Sequence, residues 1–216
     1  MSQDSQLKQS VLDELNWEPS IDAAHIGVTA RDGVISLMGH VDSFTQKRAA
    51  ETAAGRVRSV KALAEEIEVR LPFDNKRGDG EIAAAAIERL AWDVPVPRDD
   101  IKVRVEKGWV TLMGQTDWHY QKAAAEQDGR GLHGVVGVSN QATIKPQVNT
   151  ANLSDAIGGA LGRSWFFDSD NVTVSADGGK VKLSGTVESR HDREVAESTA
   201  WAAPGATAVE NNITIS

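Results

Sequence analysis

The stretch "GVISLMGHVD" (residues 33–42) returns as "GWVTLMGQTD" (108–117) and again as "GKVKLSGTVE" (179–188). A shift of 75 positions lays the first phrase on the second, and a further 71 lays the second on the third. At those offsets the match runs well beyond the phrase. Leu15, Leu90 and Leu161 correspond, as do Val28, Val103 and Val174, and Ala50-Glu51, Ala125-Glu126 and Ala196-Glu197 fall in register. No insertion is needed within any copy, which is the signature of internal triplication. The joins "LPFDNKRGD" (71–79) and "KPQVNT" (145–150) carry proline and polar residues, as short linkers do. Three repeats follow, at 1–72, 77–146 and 150–216.

Each repeat reads in the same order. Apolar residues at helical spacing come first: Leu7, Val11, Leu12 and Leu15, then Ile82, Ala86, Ile87 and Leu90, then Leu153, Ile157 and Leu161. A short alternating run follows ("HIGVTA", "DIKVRV", "NVTVSA"), and "RDG", "EKG" or "DGG" turns it back as a hairpin. The opening phrase is therefore a second strand. Its first Gly sits in the turn, its second Gly is expected to end the strand, and Asp42, Asp117 or Glu188 falls where a helix start favours an acid. An alanine-rich helix and a last strand complete the unit. In the last strands Leu63, Ile67 and Val69, then Val138, Ala142 and Ile144, then Val209, Ile213 and Ile215 alternate. The fold class is α+β: three tandem αββαβ units, each a three-stranded mixed sheet with two helices on one face.

Composition narrows function. The net charge is −8, from 23 basic and 31 acidic residues, and every third of the chain is acidic. Nonspecific nucleic-acid binding needs a basic surplus, so no nucleic-acid partner is expected. The same balance disfavours a polybasic membrane patch but leaves a neutral or apolar lipid contact open. The chain has no cysteine, which removes thiol catalysis and thiolate zinc sites. The start "MSQDSQLKQSVLDELNW" has no basic region followed by an apolar one, and no run is apolar enough to span a membrane. The expectation is a soluble, cytoplasmic protein, or a periplasmic one if a leader has been removed.

The motifs resemble those of the BON domain family (bacterial OsmY and nodulation). The likeness lies in a leading helix, a G-x-V-x-L-x-G-x-V strand, an alanine-rich helix and a closing strand, best seen in "GKVKLSGTVES" and "REVAESTAWAAPGATAVENNITI". In the first copy Glu65 stands where the family has Asn. In the second, Asp128 with Gly129, Gly131 and Gly134 reads as a shortened or frayed second helix. The resemblance implies a non-enzymatic binding module of the osmotic- or envelope-stress type, without a cofactor, associating with membrane phospholipid. The alternatives it leaves are a chaperone-like module that holds a protein client and, more remotely, an ion sensor.

No side chains gather into recognisable catalytic spacing. Glu51, Glu126 and Glu197 recur without a recurring His or Ser partner, and read as ion-paired helical carboxylates. The five histidines (25, 40, 119, 133 and 191) show no ligand spacing, so no metal is expected. Trp17 and Trp92 align at the end of the leading helix, where the third copy has Arg163 followed by Trp165 and Phe166. Trp165 and Phe166 are the candidate exposed aromatics for a partner or lipid surface. The outward row of the second strand reads Val34, Ser36, Met38 in copy one, Trp109, Thr111, Met113 in copy two, and Lys180, Lys182, Ser184 in copy three. Trp109 and Met113 complete the candidate apolar surface. Copies one and two are expected to pack through these faces, or to self-associate through them with a second chain.

Overall fold

Three rounds of the same local chemistry build the chain. The computed structural model describes residues 2–146, 152–163 and 171–215. The first repeat consists of α1 (Gln3–Trp17), β1 (Ile26–Arg31), β2 (Val34–Val41), α2 (Phe44–Arg56) and β3 (Ala62–Val69). The second has α3 (Asp79–Trp92), β4 (Ile101–Glu106), β5 (Trp109–Thr116), α4 (His119–Arg130) and a last strand split into β6 (Gly137–Asn140) and β7 (Thr143–Ile144). The third has α5 (Leu153–Leu161), β8 (Val172–Asp177), β9 (Lys180–Val187), α6 (Arg190–Ala202) and β10 (Ala208–Ile215). The αββαβ order and the α+β class are those the sequence predicts.

In every sheet the strand carrying the repeated phrase is central. The orders are β1-β2-β3, β4-β5-β6 with β7 also on β5, and β10-β9-β8. β1 meets β2 antiparallel, whereas β3 runs parallel to β2, and the third sheet repeats this arrangement. A parallel return needs a crossover, and the alanine-rich helix supplies it. Packing divides the chain into two compact units. Met1–Ile87, Arg104–Val110 and Asp128–Ser139 form one, and Glu88–Val103, Thr111–Gln127 and Asn140–Ser216 form the other. The middle repeat thus contributes residues to both.

The core of repeat 1 joins Leu7, Val11 and Leu15 of α1 to Ile35 and Leu37 of β2, Ala50, Ala53 and Ala54 of α2, and Ile67 of β3. Repeat 3 repeats it with Leu153, Ile157, Leu161, Val181, Leu183, Ala196, Ala200 and Ile213. Both helices therefore cover one sheet face, and alanine lets the second lie close to the strands. Not every apolar residue of the helical pattern turns inward, because Ile87 of α3 is exposed. The helix α4 is a full 12 residues against 13 in α2 and α6, so its glycines do not fray it. Gly129 sits at the Ala54 position, where an added Cβ would lie 3.6 Å from Val138.

The hairpin turns are two residues long with both φ angles positive: Asp32-Gly33, Lys107-Gly108 and Gly178-Gly179. That is the geometry whose twist suits a hairpin. The leading helix grips this turn. Asp4 Oδ1 accepts the Asp32 N–H at 2.9 Å, and the Asp79 carboxylate accepts the N–H groups of Lys107 and Gly108 at 2.8 and 2.9 Å. The last strand starts from the same turn, with Lys61, Val136 and Thr207 donating to the carbonyls of Gly33, Gly108 and Gly179 at 2.9, 3.0 and 2.8 Å.

Two local expectations are corrected. The second glycine of the phrase does not end the strand, since β2 continues to Val41, β5 to Thr116 and β9 to Val187. Gly39, Gly114 and Gly185 instead have φ near +121°, +134° and +137°, and the backbone before the first strand crosses directly over them. A Cβ at Gly39 would lie 2.0 Å from the His25 carbonyl oxygen; the matching distances are 1.9 Å to Asp100 and 2.0 Å to Asn171. The helix caps also fall one residue later than expected. Ser43 Oγ accepts the Gln46 N–H and Ser189 Oγ the Asp192 N–H, at 3.2 and 3.1 Å. A neutral hydroxyl both accepts that N–H and fits the extended backbone required there.

The crossing has a direct test. Gly39→Ala should cost about 3 kcal/mol or more, through a forced positive φ and a backbone clash. Gly80→Ala, in α3 with nothing within 4 Å, should leave stability unchanged or raise it by about 0.5–1 kcal/mol. Urea denaturation of the full chain followed by circular dichroism reads both.

Candidate functional site

The recurring glutamates belong to a structural lock. Asn211 Nδ2 donates to Glu197 at 2.9 Å and to the Arg193 carbonyl at 3.3 Å, while its Oδ1 accepts the Ile213 N–H at 3.2 Å. One side chain thus ties β10 to α6. Asn140 does the same for repeat 2, reaching the Lys122 carbonyl at 2.7 Å and Glu126 at 3.4 Å. In repeat 1 Glu65 has no amide to donate, and Lys47 replaces that donor. The Lys47 ammonium meets Glu65 at 2.8 Å and the Ile67 carbonyl at 2.8 Å. Glu51, paired with Arg48, has its pKa raised by burial and then by Glu65, against the pull of Arg48 and Lys47. These carboxylates have neighbours that account for them as fasteners of helix to strand.

The outward sheet row is open. Val34 and Met38 are exposed, Trp109 is 49 % exposed and Met113 half-buried. Part of each large side chain is spent locally. The Trp109 ring lies over Gly137 of β6, where a Cβ would fall 2.4 Å from the ring, and Met38 lies over Gly27 of β1. The lysines of repeat 3 are exposed, and Lys182 sits 3.8 Å from Glu210.

Trp17 and Trp92 are strongly exposed, at 82 % and 81 %. They occupy the same place in repeats 1 and 2, on the last residue of α1 and α3. Val94, just beyond α3, is 95 % exposed, while Val96 turns inward. Trp165 and Phe166 lie outside the described residues. The sequence singles out Trp165 and Phe166 as exposed aromatics and leaves Trp17 and Trp92 unassigned. The signal available was phase: Leu15 is buried, and two residues on from it a helical side chain points away from that face.

A second aromatic group lines an open groove of about 990 Å³ formed by α4 and α6. At the position that is a capping serine in the other repeats, repeat 2 has Trp118. Gln121 compensates, its Oε1 accepting the N–H groups of Asp117 and Trp118 at 3.0 Å each. The indole is thus placed at the surface beside His119 and the exposed Tyr120. His119 stacks on Trp201 of α6, centroids 4.1 Å apart and planes 16° from parallel. Repeat 1 makes a related contact, where Thr45 Oγ1 donates to the Arg130 carbonyl at 3.3 Å. Burial, then the Lys122 charge, lowers the His119 pKa, with Glu197 and Glu126 acting the other way. His25 and His40 also stack, at 4.6 Å. Among the described residues no three His, Asp or Glu side chains form a group that could hold a metal ion, and no helix is long and apolar enough to cross a membrane.

Triplicated αββαβ units, the repeated glycine strand and the asparagine lock define the class. The BON domain model matches residues 3–70, 78–146 and 149–216, and the chain belongs to the BON domain family. It is 28% identical over 147 residues to osmotically-inducible protein Y of Escherichia coli (strain K12), covering 64% of this chain and 73% of that protein. Two solved structures of CdsD, a structural protein of the type III secretion system of Chlamydia trachomatis, align at 17% and 18% identity. They cover 98% and 100% of this chain and 92% and 100% of their own, with TM-scores of 0.28 and 0.27.

The lowered His119 pKa sets a pH dependence. The folded chain favours neutral imidazole, so the contribution of this group is full above the ordinary histidine value of about 6.5 and is lost as pH falls below it. The emission of Trp201, taken as wild type minus Trp201→Phe, should stay flat from about pH 8 to 6.5 and change with a midpoint below 6.5. His119→Phe should remove the transition.

Proposed function

We propose that the chain is a non-enzymatic, osmotic-stress-related binding protein that associates with phospholipid surfaces. The relation to osmotically-inducible protein Y supports the stress setting. The observation that carries the lipid reading is the pair Trp17 and Trp92, each more than four-fifths exposed at equivalent helix ends. Tryptophan combines an apolar body with an N–H that stays wet, and so favours membrane–water interfaces. At about 25 cal/mol per Å² and about 200 Å² for each indole, insertion is worth at most about 5 kcal/mol per tryptophan before the cost of immobilisation. Val94 adds apolar surface beside Trp92, Trp109 and Met113 offer a second, flatter apolar contact, and Trp165 and Phe166, two and three residues past the third-repeat position aligned with Trp17 and Trp92, are further candidates. The net charge of −8 opposes anionic lipid, so the surface favoured is zwitterionic.

Co-flotation with liposomes tests this. The wild type should float with zwitterionic vesicles and less with anionic ones at low salt, the difference shrinking as salt screens repulsion. Trp17→Ala/Trp92→Ala should lose most of the floated fraction, and Trp109→Ala much less. Wild type that stays in the soluble fraction on both vesicle types would contradict the reading and move attention to protein clients.

A further inference from the structure

We propose that the α4–α6 groove binds an organic cation of the trimethylammonium class. This site is separate from Trp17 and Trp92 and stands independently of the lipid reading. Its walls are aromatic: Trp118, His119 and Tyr120 from the start of α4, and Trp201 from α6. Among the described residues its charged lining is acidic, Glu194 and Glu197, with no lysine or arginine. Ring faces and a negative field together attract a cation, most strongly where water is excluded.

The hydrogen-bond inventory selects among cations. Glu197 already accepts from Asn211 at 2.9 Å, and Glu194 already pairs with Arg190 at 2.9 Å. Arg190 offsets the Glu194 charge, so the negative field comes from Glu197, whose partner Asn211 is neutral. An ammonium or guanidinium ligand brings N–H donors that need acceptors, whereas a quaternary ammonium has none to satisfy. His119 supports the same choice, since its lowered pKa keeps the ring uncharged near neutral pH. The groove volume of about 990 Å³ leaves room for the rest of the molecule beyond its trimethylammonium head.

Calorimetric titration of the full chain with choline chloride at constant ionic strength tests the proposal, with 3,3-dimethylbutan-1-ol as the uncharged isostere. Choline should bind saturably and about tenfold more tightly than the isostere. Trp201→Ala should abolish binding. Tyr120→Ala, at an exposed side chain whose loss leaves the core intact, should weaken it about threefold or more. Affinity should also fall on acidification, as His119 charges among Lys122 and Glu126 of α4 and Glu197 of α6. Equal affinity for choline and its isostere, no saturation, or wild-type binding by both variants would overturn the proposal. A competition arm separates the sources of the group. Displacement of choline by phosphatidylcholine vesicles supports the site with a lipid headgroup as carrier, and no displacement supports it with a free cation.

Discussion

The structure depends on a close backbone crossing, repeated three times. Where the chain enters the first strand of each repeat, its carbonyl passes over a glycine of the central strand so closely that any Cβ would sit about 2 Å from the oxygen. The crossing holds that glycine at positive φ within the strand, and only glycine accepts both demands without strain. Ile26 lies opposite Gly39 in the register, so the crossing also marks where pairing of β1 with β2 begins. A slip of one residue would turn Ile35 and Leu37 away from the helices. The two-residue turn closes the other end, held by Asp4 or Asp79 from the leading helix and by the start of the last strand. Each repeat is thus pinned at both ends of one hairpin.

Within that frame the repeats differ by compensated exchanges. The lock between second helix and last strand uses an asparagine in repeats 2 and 3 but a glutamate with a lysine in repeat 1. The two solutions make the same connection, yet the ionic one places Glu65 close enough to disfavour the charge on Glu51. The helix cap shows a similar exchange. Trp118 replaces the capping serine, and Gln121 takes over the N–H groups. Losing the serine cap there is what sets an indole at the mouth of the α4–α6 groove. The scaffold therefore tolerates change where a partner side chain can take over, and the surfaces of the three repeats diverge as a result.

Much of this was legible from spacing. The triplication, the αββαβ order, the turn glycines and the inward faces of Ile35, Leu37 and their counterparts follow from the repeated phrase and from periods of two and three to four. The role of the second glycine was not legible, because its constraint comes from a carbonyl fourteen residues earlier and spacing records nothing of it. The serine caps were displaced by one residue in the reading because both Asp42 and Ser43 suit a helix start. The groove escaped for a different reason. Its rings come from residues 118–120 and 201, over eighty positions apart, and only packing joins them. Trp17 and Trp92 were visible but were read by alignment, when the phase relative to Leu15 and Leu90 carries the information.

Scaffold and surface now separate cleanly: glycines, caps and locks shape each repeat, and the helix-end tryptophans are left facing out. The central claim is that those helix ends are where lipid is met. Hydrogen exchange of the full chain, with and without zwitterionic vesicles, measures this without any substitution. Vesicles should slow exchange at the C-terminal turns of α1 and α3 and the residues just beyond them, with the hairpins of β1–β2 and β4–β5 unchanged. Protection of those hairpins with none at the helix ends would contradict that claim.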